Sequence, residues 1–277
     1  MCMRHPLSGW AQHQERREGK MAILNQFDIA KIKEAIEVMI PQEDIYEIRV
    51  IGKNEKGYKA TYSGYFQGVE NINEKLFYMN LDKSNVFITL NKLDSACYSR
   101  IQRNHLMLVK DEPTTGDDCI TEYRWLLIDL DPKRISGVSS TNEELCRAND
   151  KSKEVKNYMS SLGFSDPIVA CSGNGMHLLY RICLEYKKDI REDNEQLIEQ
   201  CLKVLDALFT DEYIEVDTSV YNPSRISKLY GTRASKGANT SERPHRMSQI
   251  ISTPAEIMVN PIQLLIKLSD EFIFEDD

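Results

Sequence analysis

The sequence predicts an α+β protein, and three kinds of pattern predict it. Ile29, Ile32, Ala35, Ile36, Met39 and Ile40 follow helical spacing and mark a helix over 27–40, stopped by Pro41. Short apolar or alternating runs bounded by turn residues mark strands. Asn174-Gly175 between two extended apolar runs marks a hairpin, because both residues tolerate the positive φ that such turns demand.

In chain order, residues 1–20 (MCMRHPLSGWAQHQERREGK) carry no periodic apolar pattern, and the chain restarts at Met21, so a disordered leader is expected there. After the first helix, 46–51 and 58–66 read as strands around a Lys-Asn-Glu-Lys-Gly turn, 68–79 as a second helical stretch and 85–90 as a strand. The turn-rich, acidic segment 111–119 (DEPTTGDDC) is the soft boundary between an N-terminal αβ module (21–120) and a second module (121–277), together one integrated domain. Residues 125–128 form a short apolar strand, stopped by Pro132. A helix over 141–162 buries Leu145, Val155, Tyr158, Met159 and Leu162; strands at 168–171 and 176–184 flank Ser172-Gly173-Asn174-Gly175. Leu197, Ile198, Cys201, Leu202, Leu205 and Leu208 mark another helix. A strand over 214–220 contains Asp217, short strands follow at 228–230 and 249–251, and a helix over 261–272 closes the pattern.

With 277 residues and 41% hydrophobic content, the chain can bury a large core without staples. No run approaches the roughly 18 to 20 apolar residues that span a bilayer, and the first twenty residues lack a signal-peptide core. A cytoplasmic protein without a membrane partner is expected. Cys2, Cys97, Cys119, Cys146, Cys171, Cys183 and Cys201 show no Cys-x-x-Cys and no zinc spacing. Reduced, mostly buried thiols follow, and a disulfide framework does not. A net charge of -8 argues against coating nucleic acid non-specifically. Yet 221–247 holds six cations (Arg225, Lys228, Arg233, Lys236, Arg243, Arg246) against the single acid Glu242, which points to a localised anion site.

The chemistry begins at Asp129 and Asp131. At i and i+2 of one strand they project from the same face, and two buried carboxylates repel unless a cation sits between them. Hard divalent ions with oxygen ligands suit that role; two solvated acids at a loop start is the competing reading. Asp217, on a neighbouring strand, would complete a carboxylate cluster able to hold two metals, and is otherwise a turn or capping acid. Ser172 to His177 offers a tight turn with free amides, a hydroxyl and an imidazole to an anion, against the plainer reading of a turn and a structural histidine. Arg225 brings a planar fork and Lys228 a point charge, unless both belong to a solvated stripe.

Taken together, the Asp-x-Asp strand, the Ser-Gly-Asn-Gly-x-His hairpin and Asp217 followed by Asn-Pro-Ser-Arg-Ile-x-Lys-Leu-Tyr-Gly-Thr resemble the three motifs of the archaeo-eukaryotic primase superfamily. The likeness is to the primase or primase-polymerase domains of phages, plasmids and other mobile elements, over about 123–246; for 21–119 it extends only to a compatible N-terminal αβ module. It implies an RNA-recognition-motif-like (RRM-like) catalytic sheet flanked by helices, packed with the N-terminal module around a central cleft. It further implies that Asp129, Asp131 and Asp217 bind two Mg²⁺ or Mn²⁺ ions. Ser172 and His177, with the backbone around Gly173 and Asn174, would contact the β and γ phosphates of an NTP or dNTP, and Arg225 and Lys228 would balance their charge. Lys133 and Arg134 would touch phosphate or template, or simply lie on the surface.

The activity implied is DNA-template-dependent nucleotidyl transfer to a 3′-hydroxyl with release of pyrophosphate. Single-stranded DNA would be the template. Because the chain shows neither a zinc-binding element nor a fused helicase, a helicase or other replication or defence partner is expected in trans. Two other classes use the same acids or none: a metal-dependent nuclease or replication-initiation endonuclease, and a catalytically silent nucleic-acid-binding subunit. A rolling-circle nickase needs His-x-His, where this chain has Gly-Met-His-Leu at 175–178.

Overall fold

The first helix forms where its apolar spacing puts it. In the computed structural model, which describes residues 26–79, 81–100, 102–110 and 113–271, α1 spans Ile29–Met39. Asp28 caps it by accepting from Lys31 N, and Ile32, Ala35, Ile36 and Met39 are its buried face. Strands β1 (Ile45–Lys53) and β2 (Lys59–Gln67) pair antiparallel around the expected turn. There Asn54 Oδ1 accepts from Lys56 N and Tyr58 N, and Gly57 takes φ +79°.

The helix expected over 68–79 is not formed. Only a 3-10 turn, Glu74–Phe77, is present. Gly68 is left-handed at φ +61°, and the Asn73 side chain bonds both Asn71 O and Lys75 N, offering the backbone a local alternative to the helix. The chain then enters β3 (Asp82–Thr89), which pairs with the free edge of β1.

The second sheet is built around one long strand, β6 (Ile120–Pro132), which extends the expected 125–128 run to thirteen residues and ends on the proline. One edge of β6 pairs throughout with β8 (Met176–Glu185), followed by β7 (Ile168–Cys171) and β13 (Gln249–Ser252). Its other edge is shared by β4 (Lys92–Leu93) near its start and β9 (Ile214–Val216) near its end. The strand expected over 214–220 stops at 216 because Asp217 caps a 3-10 turn, Thr218–Tyr221.

Helix α2 (Asn142–Leu162) starts from a capping box between Thr141 and Glu144, stops at left-handed Gly163 and packs across β6 and β8. Helix α3 (Arg191–Phe209) lies against β9 and against α4 (Ile262–Ser269), which is shorter than the 261–272 pattern. The first sheet is completed by β5 (Met107–Leu108) on β2 and by β10 (Ile226–Lys228) on β3, giving the order β10-β3-β1-β2-β5. A two-stranded ribbon, β11 (Arg233–Ala234) with β12 (Arg246–Met247), follows.

This is an α+β fold of antiparallel sheets. The chain crosses between the sheets repeatedly: β4 joins the second, β5 returns to the first, β6 to β9 build the second, β10 returns to the first and β13 ends in the second. One apolar cluster runs from Ile32 to Leu268 through both. The 111–119 segment, of which 113–119 are described, is anchored rather than free: Thr115 N donates to Glu47 Oε2, and Arg49 Nη2 donates to Thr115 O. Among the described residues Cys97, Cys171 and Cys201 are buried and free, Cys119 is half-buried, and Cys146 and Cys183 are exposed, so burial covers fewer thiols than expected. No helix among the described residues is long and apolar enough to cross a membrane. The leader at 1–20 lies outside the described residues.

Candidate active site

Alternation along β6 brings Leu127, Asp129 and Asp131 to one face. On β8, His177 stands directly opposite Asp129 in the antiparallel register and therefore shares that face. On the other side β9 ends with Val216 opposite Leu130, and Asp217 N donates to Asp129 O at 2.9 Å. Three acids and an imidazole thus meet at one end of the sheet. They line a cleft of about 210 Å³ together with Ser172, Asn174, Arg225, Ser227, Lys228 and Lys236, while Asn85 and Phe87 close it from the first sheet. A larger cavity of about 330 Å³ beside the end of α1 holds Glu37 and Glu70 but no cation.

Asp129 is the most engaged of the acids. Its Oδ1 is buried without a hydrogen-bond partner and faces His177 Nε2 across a 3.4 Å ion pair. Burial is the largest influence and raises this carboxyl, but His177, Lys236 and Arg134 together outweigh it and hold Asp129 below the usual range. For His177 burial works downward, and Asp129 with Asp131 more than reverses it, so the imidazole is held above its ordinary value. Asp131 is pushed up, by burial first and by Asp129 second, although Arg134 Nη1 lies 3.6 Å from its Oδ1.

A buried carboxylate oxygen whose neighbour is a long 3.4 Å ion pair, beside a second carboxylate that it pushes up, is a donor set that a hard divalent cation accepts. Asp217 faces the same cleft while its Oδ1 accepts from Ser219 N at 2.8 Å. Among the described residues no three His, Cys, Asp or Glu side chains are already gathered around one metal-sized point.

The Ser172–Gly175 turn is tighter and more self-satisfied than its sequence indicates. Positive φ falls on Gly173 (+98°), not on the Asn174-Gly175 pair. The amides have partners: Gly173 N on Cys171 Sγ at 3.3 Å, Asn174 N and Gly175 N on Ser172 Oγ at 3.4 and 3.0 Å. Asn174 Oδ1 accepts from Ser140 N, tying the turn to the approach of α2. Both glycines are forced by proximity. A Cβ on Gly173 would lie 2.6 Å from Ala234 Cβ, and one on Gly175 would lie 2.5 Å from Asp131 Oδ1.

Of the cations, Lys228 is buried, donates from Nζ to Arg233 O at 2.9 Å, and is brought down to about 7 by burial and by Lys236. Arg225 Nη2 donates to Ser219 O, while its Nε is buried without a partner. Arg134 is not a free surface group, because Pro132 O and Val138 O hold its guanidinium; Lys133 is exposed. The cleft also holds Ser227, Asn85 and Phe87, for which the sequence carries no signal of a role, and Lys236, while Tyr230 stands behind His177. Lys236 was visible in the basic run, whereas Asn85 and Phe87 reach the cleft only through the pairing of β3 with β10.

No family model matches this chain, and no curated protein matches it. Two solved structures are similar to it. One is the catalytic domain of primase Repb' in complex with initiator DNA, with a TM-score of 0.46 and 12% sequence identity, covering 87% of this chain and 95% of that one. The other is primase RepB', at the same TM-score and identity, covering 88% of this chain and 62% of that one.

Proposed function

We propose that the protein is a template-dependent nucleotidyltransferase of the primase or primase-polymerase kind. The observation that carries the reading is the convergence of Asp129, Asp131 and Asp217 on one cleft with His177, Arg225 and Lys228. In this reading the helix-backed second sheet is the RRM-like platform, and the first sheet closes the cleft.

The three aspartates would hold two Mg²⁺ or Mn²⁺ ions, which lower the pKa of an attacking hydroxyl and neutralise charge at the transferred phosphate. The remaining steps belong to the chain itself. A 3′-hydroxyl attacks the α phosphate of an NTP or dNTP, the bond to the β phosphate breaks, and pyrophosphate leaves. His177, which the acid pair holds above its ordinary value, donates to a β or γ oxygen; Arg225 and Lys228 offset the triphosphate charge; Ser172 and Asn174 flank it at the turn, with the Gly173 backbone between them. Single-stranded DNA is the template in this reading. With a net charge of -8 its binding is local, and unwinding falls to a helicase or other replication or defence partner in trans.

The test is incubation with labelled nucleotides, Mn²⁺ and a single-stranded template. Product longer than the primer, or dinucleotides on an unprimed template, is the expected result, and Asp129→Ala abolishes it with the circular dichroism spectrum unchanged. Full synthesis by Asp129→Ala overturns the proposal, and metal-dependent shortening of the template without extension assigns a nuclease instead.

A further inference from the structure

His177 has both ring nitrogens engaged. Nε2 lies 3.4 Å from Asp129 Oδ1, and Nδ1 lies 2.8 Å from the Tyr230 hydroxyl, with Ser227 Oγ at 3.5 Å as a weaker second partner. Tyr230 is only 1% exposed and meets the imidazole edge-on, with ring centroids 5.9 Å apart. It is absent from the cleft wall and reaches the site through His177, with Ser227 as a second neighbour.

Its backbone is fixed independently of that contact. Leu229 N donates to Val86 O and Gly231 N to Ser248 O, while Thr232 Oγ1 and Ser248 Oγ both donate to Leu229 O. The hydroxyl is therefore delivered by β3 and the segment before β13 to one point behind the imidazole. Simple satisfaction of a buried hydroxyl does not explain this, because the fold leaves the buried Tyr180 hydroxyl without a partner.

We propose that Tyr230 is a positioning residue: its hydroxyl fixes the orientation of the His177 ring so that Nε2 faces the acid pair and the cleft. An imidazole held at one nitrogen presents the other in a set direction, which is how outer partners tune histidines in metal and acid–base sites. The link to nucleotide handling rests on the reading of His177 as a triphosphate contact; the orientation itself does not.

The experiment uses the full chain with ¹⁵N-labelled histidine, read by NMR at one fixed pH, alongside nucleotide KM and kcat for synthesis. In the unsubstituted protein the His177 ring shows one orientation with an exchange-protected Nδ1 proton. In Tyr230→Phe that protection is lost, nucleotide KM rises about tenfold, and kcat changes less than threefold. An unprotected, orientation-averaged His177 ring in the unsubstituted protein overturns the proposal even if Tyr230→Phe does not fold. So does a folded Tyr230→Phe with an unchanged ring signal. If the unsubstituted protein makes no product while Tyr230→Phe still loses ring protection, the primase reading fails and the positioning role stands.

Discussion

Lys228 ties the site's chemistry to pH. Burial, with Lys236 adding to it, brings its ammonium down from 10.5 to about 7. Between those values the unfolded chain carries a proton that the folded chain releases, so this residue's contribution to stability rises with pH across that window and is least favourable below about 7. A triphosphate beside it reverses the preference and draws the proton back. We expect nucleotide binding at pH 8 to take up a proton, measured calorimetrically as a dependence of the binding enthalpy on the ionisation enthalpy of the buffer. Binding with no buffer dependence would remove Lys228 from the triphosphate site. In residue type and chain order Asp129, Asp131, His177 and Asp217 were legible in the sequence, because strand alternation and a hairpin constrain them locally. Tyr230 and Lys236 were present in the same text, but their contact with the site is made by tertiary placement, which no spacing rule encodes.

At the scale of elements, the turn between β7 and β8 is where packing sets chemistry. A methyl on Gly175 meets Asp131 Oδ1 at 2.5 Å and Leu130 O at 2.6 Å, so the carboxylate or the β6 backbone must move. We expect Gly175→Ala to destabilise the fold by about 1–3 kcal/mol, as overpacking does, and to lower synthesis far more than that loss of folded protein accounts for. Thermal denaturation and the extension assay, run on the same sample, decide it. Activity that tracks the folded fraction would mean that the Asp131 position is not critical. The neighbouring carboxylates give a second expectation. Asp131→Asn removes the repulsion with Asp129 and raises Tm without divalent ions. The unsubstituted protein gains Tm on adding Mn²⁺ whereas Asp131→Asn does not. The hairpin itself was readable, but its φ signs were not, since Gly173 is shaped by contact with Ala234 and the backbone of Arg246. The helix expected at 68–79 failed for a related reason: apolar periodicity is indifferent to an asparagine that bonds its own backbone.

Across the whole molecule the cleft exists because two sheets are stitched together by strands of two or three residues, too short to carry a periodic signal. The sequence therefore carried no sign that β4 joins the second sheet and β10 the first. The stitching concentrates on Asn91, which is 5% exposed and follows directly after the first-sheet segment. Its Oδ1 accepts from Arg124 N at 2.8 Å, on the central strand, and its Nδ2 donates to Pro223 O at 2.8 Å, two residues before Arg225. Beside it Arg124 Nη2 pairs with Asp44 Oδ2 at 2.5 Å, again linking the second sheet to the first. Asn91→Ala strips the partner from a buried amide and a buried carbonyl at once, at about 1–3 kcal/mol for each group left unsatisfied. Because one apolar cluster spans both sheets, we expect that loss to appear as a lower midpoint of a single urea transition, not as two transitions. Nucleotide affinity should fall with it, since Pro223 leads into the segment that carries Arg225 and Lys228. Two separate transitions in the unsubstituted protein would show that the sheets fold independently, and the cleft would then be a docking contact between units instead of a product of one core.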